Sequence, residues 1–280
     1  MPSRSKGWST AKRTGHEYEH ELFELGTEDA QSFVKQLGSF TNKPGNRIAE
    51  VKVPYGAIET LLGDKSEGKP DARLTFENED RFNLSIKKPG SQANGQAHLS
   101  TLDRFKKAWR EISGRPLDIE VVKYLELFIG KDGVSDIQEL APGVVPTSRL
   151  HARTQQSLDV HQVRLSAATI ASYKPATAKA FMQWARSEAV LIADVFLFRG
   201  YAANKQDYAQ GIWFGREQKL VMREALLAGV KRHPQVHIGA SGGTVRFPWG
   251  FLQFHAPRGR RQLQAHWESG KIISLISENS

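Results

Sequence analysis

The chain has 280 residues, no cysteine and a formal net charge of +9 at pH 7. This length is enough for one large domain or two modest ones, and the lack of cysteine excludes a disulfide framework, a thiolate nucleophile and a Cys-ligated zinc site. The excess of Lys and Arg indicates a polyanionic partner, because basic side chains that neutralise phosphates release counterions. No segment has the apolar length of a secretory signal or a membrane span, so we expect a cytoplasmic protein without a membrane partner.

The first predicted element is an amphipathic helix from Gly15 to about Leu37. Tyr18, Leu22 and Phe23 fall on one arc of this helix, and Glu19 lies inside the same arc. A buried carboxylate needs a partner, so we expect Glu19 to point toward a sheet. The alternative is that Glu19 borders the core and reaches solvent.

Two strands are predicted next, joined by the polar turn Glu77–Asp80. Apolar and polar residues alternate on both sides of this turn, as in half-buried strands. If Phe76 faces Phe82 across the ladder, Asp71 lies opposite Lys87; the other expected cross-strand pairs are Thr75 with Asn83 and Arg73 with Ser85. An aspartate at a strand end can hold Mg²⁺ while a lysine orients water or stabilises a phosphate. The alternative is a surface ion pair on an ordinary hairpin.

Pro70-Asp71 followed by Ser85-Ile86-Lys87 resembles the PD-(D/E)XK motif of type II restriction endonucleases and related nucleases. Ser85 departs from the motif, which usually has Asp or Glu there, so a further carboxylate has to come from Glu19, Glu21 or Glu59. Glu19 ranks first because many members of this superfamily begin with a similar helix. The resemblance implies that Asp71, Glu19 and the carbonyl of Ile86 bind Mg²⁺ or Mn²⁺. It also implies that Lys87 positions the nucleophile and that Ser85 or its backbone carbonyl occupies the variable ligand position.

After the hairpin, the sequence predicts a polar loop over 88–96, a helix from Leu99 to Ile112 and a helix from Leu117 to Ile129. Polar side chains in this region are either solvated or able to contact DNA. The candidates for DNA contact are Lys88, Gln92, Gln96 and Arg104.

The segment Ala141–Ser148 is rich in Pro and Gly and predicts a boundary. We expect a catalytic region over 1–140 and, over 149–280, a helical and β-hairpin region that recognises DNA or completes the same domain. Helical spacing recurs over 176–198 and 216–231, and two alternating segments within 244–267 surround a basic turn. Arginine side chains here either bind phosphates and guanine edges or are solvated; the candidates are Arg246, Arg258, Arg260 and Arg261.

These features predict an α/β or α+β fold with a restriction-endonuclease-like core, in which helices flank a mixed central β-sheet. The implied function is sequence-specific, Mg²⁺-dependent cleavage of double-stranded DNA. Cutting both strands of a palindrome requires two copies of the site, which predicts a homodimer, and the resemblance implies a cognate DNA methyltransferase. The alternatives are a structure-specific repair, recombination or mobile-element nuclease, and a non-catalytic basic DNA-binding protein.

Overall fold

The computed structural model describes residues 17–24, 27–41, 47–88, 94–129, 165–255 and 262–277. The chain forms two compact units, each built from separate stretches of sequence. The first unit comprises Met1–Ala93, Leu197–Gly229 and Ile272–Ser280, and the second comprises Asn94–Phe196 and Val230–Lys271. The boundary predicted at Ala141–Ser148 lies outside the described residues. The fold is mixed α/β, with a mixed sheet flanked by helices, as the sequence predicts.

The first unit contains a five-stranded sheet. Among the described residues, seven strands belong to this unit, of which five form the sheet: β1 (Ile48–Lys52), β2 (Ala57–Glu59), β3 (Lys65–Glu67), β4 (Ala72–Phe76), β5 (Arg81–Lys87), β7 (Gly211–Phe214) and β8 (Lys219–Met222). Strand β6 (Asn94–Ser100) belongs to the second unit. Spatial order in the sheet is β1-β4-β5-β7-β8, and β2 and β3 form a separate hairpin. The β5–β7 pair is parallel and the other neighbours are antiparallel. Residues 197–229, which follow the predicted boundary, therefore complete this sheet.

One face of this sheet is covered by residues 17–24 and by helix α1 (Glu28–Thr41). Phe33 of α1 is fully buried and meets the ring of Trp213 edge-on at a centroid distance of 5.4 Å. The prediction that Tyr18 and Leu22 face the sheet is confirmed. The remaining core residues on this face come from the helix and three strands: Leu37, Ala72, Leu74, Phe76, Phe82, Leu84, Ile86 and Leu220.

The prediction of one helix from Gly15 to Leu37 is wrong, because the helical turn at 17–21 ends before α1 begins. Thr27 caps the new helix: its Oγ1 accepts a hydrogen bond from the Ala30 N–H at 3.1 Å. Glu28 and Asp29 then place negative charge in the first turn, where it interacts favourably with the helix dipole. The sequence Thr27-Glu28-Asp29 is therefore a start signal within an apparently continuous apolar pattern.

The predicted register of the β4–β5 hairpin is wrong by two residues. Phe82 pairs with Leu74, and Arg73 pairs with Asn83. The cause is a three-residue loop: Glu79 has a φ of 65°, and its N–H donates to the Phe76 carbonyl at 2.9 Å. A left-handed residue closing a short loop is typical of three-residue hairpin turns. Because side chains alternate with a period of two, this shift leaves every side chain on its predicted face.

The second unit combines helices with a second five-stranded sheet. Its helices are α2 (Leu102–Ser113), α3 (Ile119–Ile129), α4 (Ala167–Tyr173), α5 (Pro175–Ser187) and α6 (Ala189–Asp194), followed by a π-helical turn at 195–199. Its strands are β6 (Asn94–Ser100), β9 (His237–Ile238), β10 (Val245–Phe247), β11 (Gly250–His255) and β12 (Gln262–Glu268), in the order β6-β12-β11-β10-β9. Helix α7 (Arg223–Arg232) follows β8, and α8 (Ser269–Ser277) follows β12.

Two further boundaries differ from the predictions. The helix expected from Leu99 begins at Leu102, because β6 continues to Ser100 and Thr101 caps α2 by accepting the Arg104 N–H at 3.3 Å. The helix expected over 216–231 begins at Arg223, after a turn and strand β8. The expected helix from Leu117 and the antiparallel pair around the basic turn are present as α3 and β11–β12.

Replacing Phe33 by alanine should lower the free energy of unfolding by about 3–5 kcal/mol, because it removes a fully buried ring and leaves a cavity. Urea unfolding followed by tryptophan fluorescence measures this loss. The neighbouring Val34→Ala is the matched control, since Val34 is 48% exposed and its truncation should change stability by no more than about 0.5 kcal/mol. Equal losses in both variants would contradict the packing described for α1.

Candidate active site

The candidate site lies where the chain enters β4 and leaves β5. The Asp71 N–H donates to the Leu84 carbonyl at 2.8 Å, so the β4–β5 pairing extends to Asp71. On β5, Ser85 and Lys87 alternate with the buried Leu84 and Ile86. This alternation directs Ser85 and Lys87 to the sheet face opposite the α1 core.

Asp71, Ser85 and Lys87 form a closed set of contacts. Asp71 Oδ2 accepts the Ile86 N–H at 2.6 Å and the Ser85 hydroxyl at 3.0 Å. Lys87 Nζ donates to Ser85 Oγ at 2.9 Å and lies 3.6 Å from Asp71 Oδ2. The expected contact between Asp71 and Lys87 is therefore present, although it arises from a different register. Their side chains are 29% and 25% exposed, so solvent reaches both charged groups.

The donor chemistry of this set fits Mg²⁺ in a limited way. Asp71 Oδ1 receives no hydrogen bond from the residues that the structure describes, so one carboxylate oxygen is available to a cation. Mg²⁺ keeps several waters and is commonly held by one or two carboxylates together with substrate phosphates. Within the described ranges, no three His, Asp or Glu side chains are grouped to hold a metal. The residues present thus fit a Mg²⁺ that takes most of its ligands from water and a phosphate.

Lys69 is a further basic residue at this site, and the sequence-based interpretation gave it no role. Burial of its ammonium group, together with the positive charge of Lys87, lowers the pKa of Lys69 to about 7, against the opposing effect of the Asp71 carboxylate. Lys69 keeps a partly exposed surface, so solvent screens part of this effect. Two lysines beside one carboxylate favour an anion such as phosphate. The signal available in the sequence was a second lysine within two residues of Asp71.

The absence of a side chain at Gly200 leaves room for the Lys69 side chain. A Cβ built on Gly200 would lie 3.2 Å from Lys69 Cγ, and Gly200 has a φ of 56°. Both the close approach and the left-handed backbone conformation favour glycine at this position.

A polar network lies beside the site on the same two strands. The Tyr55 hydroxyl donates to Asp207 Oδ1 at 2.7 Å, and Arg73 bonds to Tyr55 and lies 3.4 Å from Asp207. Asn83 Nδ2 donates to the carbonyl of Gln206 at 2.6 Å. Burial and the hydrogen bond to Asp207 raise the pKa of Tyr55 to about 12. This network fixes the backbone around Asp207 against β4 and β5, and so supports the strands that carry Asp71 and Ser85.

The structure separates the candidates for the additional carboxylate. Glu19 lies half-buried in the helical turn at 17–21, and Glu21 is exposed there. Glu59 lies on β2 with an exposed side chain. Tyr18, next to Glu19, is fixed by donating to Asp29 at 2.6 Å and accepting from Trp213 at 3.0 Å. Glu19 as a metal ligand stays a prediction.

The candidates for DNA contact belong to both units. Lys88 follows β5 in the first unit, and Arg104 lies in the first turn of α2 in the second unit, with both half-buried. Gln96 lies on β6, paired with His266 of β12. Arg246 on β10 pairs with Glu268, so its guanidinium already has an anionic partner. The other candidates, Gln92, Arg258, Arg260 and Arg261, lie outside the described residues.

Comparisons with protein-family models, with curated proteins and with solved structures found no match to this chain. The functional argument therefore depends on the residues and geometry of the chain itself. In the part of the chain that the structure describes, no helix has both the length and the apolar character needed to cross a membrane.

The Lys69 pKa predicts a pH dependence of stability. Lysine in the unfolded chain has an ordinary pKa of 10.5, against about 7 in the folded protein. Between these values the unfolded chain binds a proton that the folded protein releases, so the free energy of unfolding should rise as pH increases from 7 toward 10. Lys69→Met should reduce this rise.

Urea unfolding at pH 7.0 and pH 9.5 measures the difference between the native chain and Lys69→Met. The control is Lys179→Met, because Lys179 is exposed on α5 and its removal should leave the pH dependence unchanged. An identical pH dependence in the native chain and both variants would contradict the burial of the Lys69 ammonium.

Proposed function

We propose that this chain is a Mg²⁺-dependent endonuclease that hydrolyses phosphodiester bonds in double-stranded DNA. The observation that carries the proposal is the contact set in which Asp71 and Lys87 share the Ser85 hydroxyl at the end of β5. An exposed surface ion pair between strands would not need a buried serine between its charges, and Ser85 is 3% exposed. The motif resemblance and the net charge of +9 support the same chemistry.

Each residue has a role that its contacts support. Asp71 would hold Mg²⁺ through Oδ1, while its Oδ2 stays fixed by the Ile86 N–H and the Ser85 hydroxyl. Bound Mg²⁺ would supply charge stabilisation at the phosphate and a more acidic water. Lys87 would donate to the attacking water or to a phosphate oxygen, and Lys69 in its protonated form would attract the phosphate. Glu19 is proposed as a further ligand, and the Ile86 carbonyl as the main-chain ligand.

Ser85 would act as a positioning residue in place of the acidic residue of the motif. Its hydroxyl accepts from Lys87 and donates to Asp71, so it fixes the distance between the two charged groups. This arrangement would orient Lys87 although the site has one carboxylate fewer than the PD-(D/E)XK motif. Mn²⁺ would substitute for Mg²⁺, since both prefer oxygen ligands.

The finer proposal is a type II restriction enzyme, which reads a DNA sequence, works as a homodimer and is paired with a methyltransferase. A shape-specific repair, recombination or mobile-element nuclease would use the same site without reading bases. A DNA-binding protein without catalysis would use neither Mg²⁺ nor Lys87. Incubating the purified chain with unmethylated duplex DNA, in Mg²⁺ or in EDTA, distinguishes them: sharp bands indicate the first, a smear the second, and intact but retarded DNA the third.

Asp71→Asn and Lys87→Ala should each lower the cleavage rate by at least about 1000-fold, because each removes charge that acts on the transition state. Binding to duplex DNA in EDTA should change less than about threefold. Cleavage is measured by single-turnover assays and binding by gel retardation. The matched controls are Asp103→Asn and Lys106→Ala on α2, which change an exposed aspartate and a partly exposed lysine. Full activity in either site variant would rule out this active site.

Ser85→Ala should lower the single-turnover rate by about 10- to 100-fold, which is less than the loss in Asp71→Asn, because Lys87 keeps its charge and loses only its orientation. Ser85→Thr retains the hydroxyl and should recover part of the rate. Comparing Ser85→Ala with Ser85→Thr distinguishes a role in positioning Lys87 from a role in packing. Equal losses of rate in the two variants would show that Ser85 acts through its buried volume and not through its hydrogen bonds.

A further inference from the structure

The second sheet carries a row of polar and aromatic side chains across three strands. In register, Arg246 of β10 pairs with Phe251 of β11, and Phe251 pairs with His266 of β12. The Arg246 guanidinium lies 4.6 Å from the centre of the Phe251 ring, and the Phe251 and His266 rings are stacked at 4.8 Å with an interplanar angle of 3°. These contacts fix the orientation of all three side chains.

Gln253 extends this row on the same face, because it lies two residues after Phe251 on β11. Its amide nitrogen donates to Gln264 Oε1 at 2.8 Å and bonds to His266 Nε2 at 2.7 Å. Since an amide nitrogen donates, His266 Nε2 accepts and Nδ1 carries the proton. Gln253 Oε1 makes no hydrogen bond with the residues that the structure describes, so it is an oriented acceptor with capacity for a further donor.

The opposite face of these strands supplies the packing of the sheet. Its side chains are apolar and almost fully buried: Val245, Phe247, Leu252, Leu263, Ala265 and Trp267. Arg246, Phe251, Gln253 and His266 are all partly exposed. A sheet that packs one face needs only simple polar residues on the other, whereas this face carries an ordered set of donors, acceptors and rings.

The charges of the row favour hydrogen bonding over phosphate binding. Glu268 bonds to Arg246 and Lys271. Burial raises the pKa of Glu268, but the hydrogen bonds from Lys271 and Arg246 outweigh it and keep the pKa below its ordinary value. Arg246 is therefore balanced by an ionised carboxylate.

We infer that the row Arg246–Phe251–His266–Gln253 reads base edges in the major groove of duplex DNA, with Gln253 as the main contact. The inference rests on the proposed function and adds that one face of the second sheet recognises the DNA sequence. Glutamine and arginine side chains make specific hydrogen bonds to base edges in the major groove, where Gln253 Oε1 would accept from the exocyclic amine of adenine or cytosine. The net charge of +9 matches a duplex partner.

The test is a binding selection from a pool of random duplex DNA in Mg²⁺, using the Asp71→Asn chain so that bound DNA stays intact. Three proteins are compared: Asp71→Asn alone, with Gln253→Leu, and with Gln183→Leu. Gln183 is exposed on α5 of the same unit, so it is the matched control. Sequencing of the bound DNA gives the base preference at each position, and gel retardation gives the affinity.

The Asp71→Asn chain and its Gln183→Leu variant should select the same sequence. Gln253→Leu should lose the preference at one or two base pairs and bind the selected site about 10- to 100-fold more weakly. Its affinity for unrelated DNA, and the salt dependence of that binding, should stay unchanged, because phosphate contacts set both. If Gln253→Leu lowers the urea midpoint, Gln253→Met, which keeps the length of the side chain and loses the Oε1 acceptor, takes its place in the comparison.

An unchanged selected sequence in Gln253→Leu would overturn the inference, as would an equal loss of affinity for all DNA or an Asp71→Asn chain that binds without base preference. Failure of the proposed function has a different signature, which is that the native chain cuts no duplex DNA in Mg²⁺. If the native chain cuts at fixed sites and Gln253→Leu cuts at the same sites, the proposed function stays intact. Only the inference that this row recognises bases is then refuted.

Discussion

The pairing of β4 with β5 is the constraint on which the candidate site depends. It brings a carboxylate at the start of one strand to a serine and a lysine at the end of the other. The short loop closed by Glu79 sets this register, and β7 holds β5 from its other side through a parallel ladder. A central strand with partners on both sides has little freedom to slip, so Ser85 and Lys87 keep fixed positions relative to Asp71.

Both faces of β5 are buried for most of its length, and the two faces differ in chemistry. Leu84 and Ile86 pack under α1, while Asn83 and Ser85 face a layer of hydrogen bonds. Buried polar groups are costly unless they are paired. The bonds from Asn83 to Gln206 and from Ser85 to Asp71 meet this requirement, and they also preorganise the site.

Electrostatics connects the two proposed activities. In the first unit, the charges of Lys87 and of the protonated form of Lys69 exceed the charge of Asp71, which favours a phosphate. Asp71 Oδ1 stays available to one cation, because both hydrogen bonds to this carboxylate are made to Oδ2. In the second unit, Arg246 is balanced by Glu268, so its row has oriented hydrogen-bonding groups and little net charge. The first arrangement suits chemistry on the DNA backbone, and the second suits discrimination between bases.

The sequence by itself determined the features that local periodicity encodes. Alternation identified β4, β5 and the β11–β12 pair with their apolar faces, helical spacing identified α3, and the residue types at positions 71, 85 and 87 indicated one site. Tertiary structure decided the rest. The helix break at Thr27 and the register at Glu79 depend on single capping and turn conformations that an apolar pattern does not resolve. The parallel β5–β7 ladder and the proximity of Lys69 to Lys87 depend on contacts between residues distant in the chain, which periodicity cannot report.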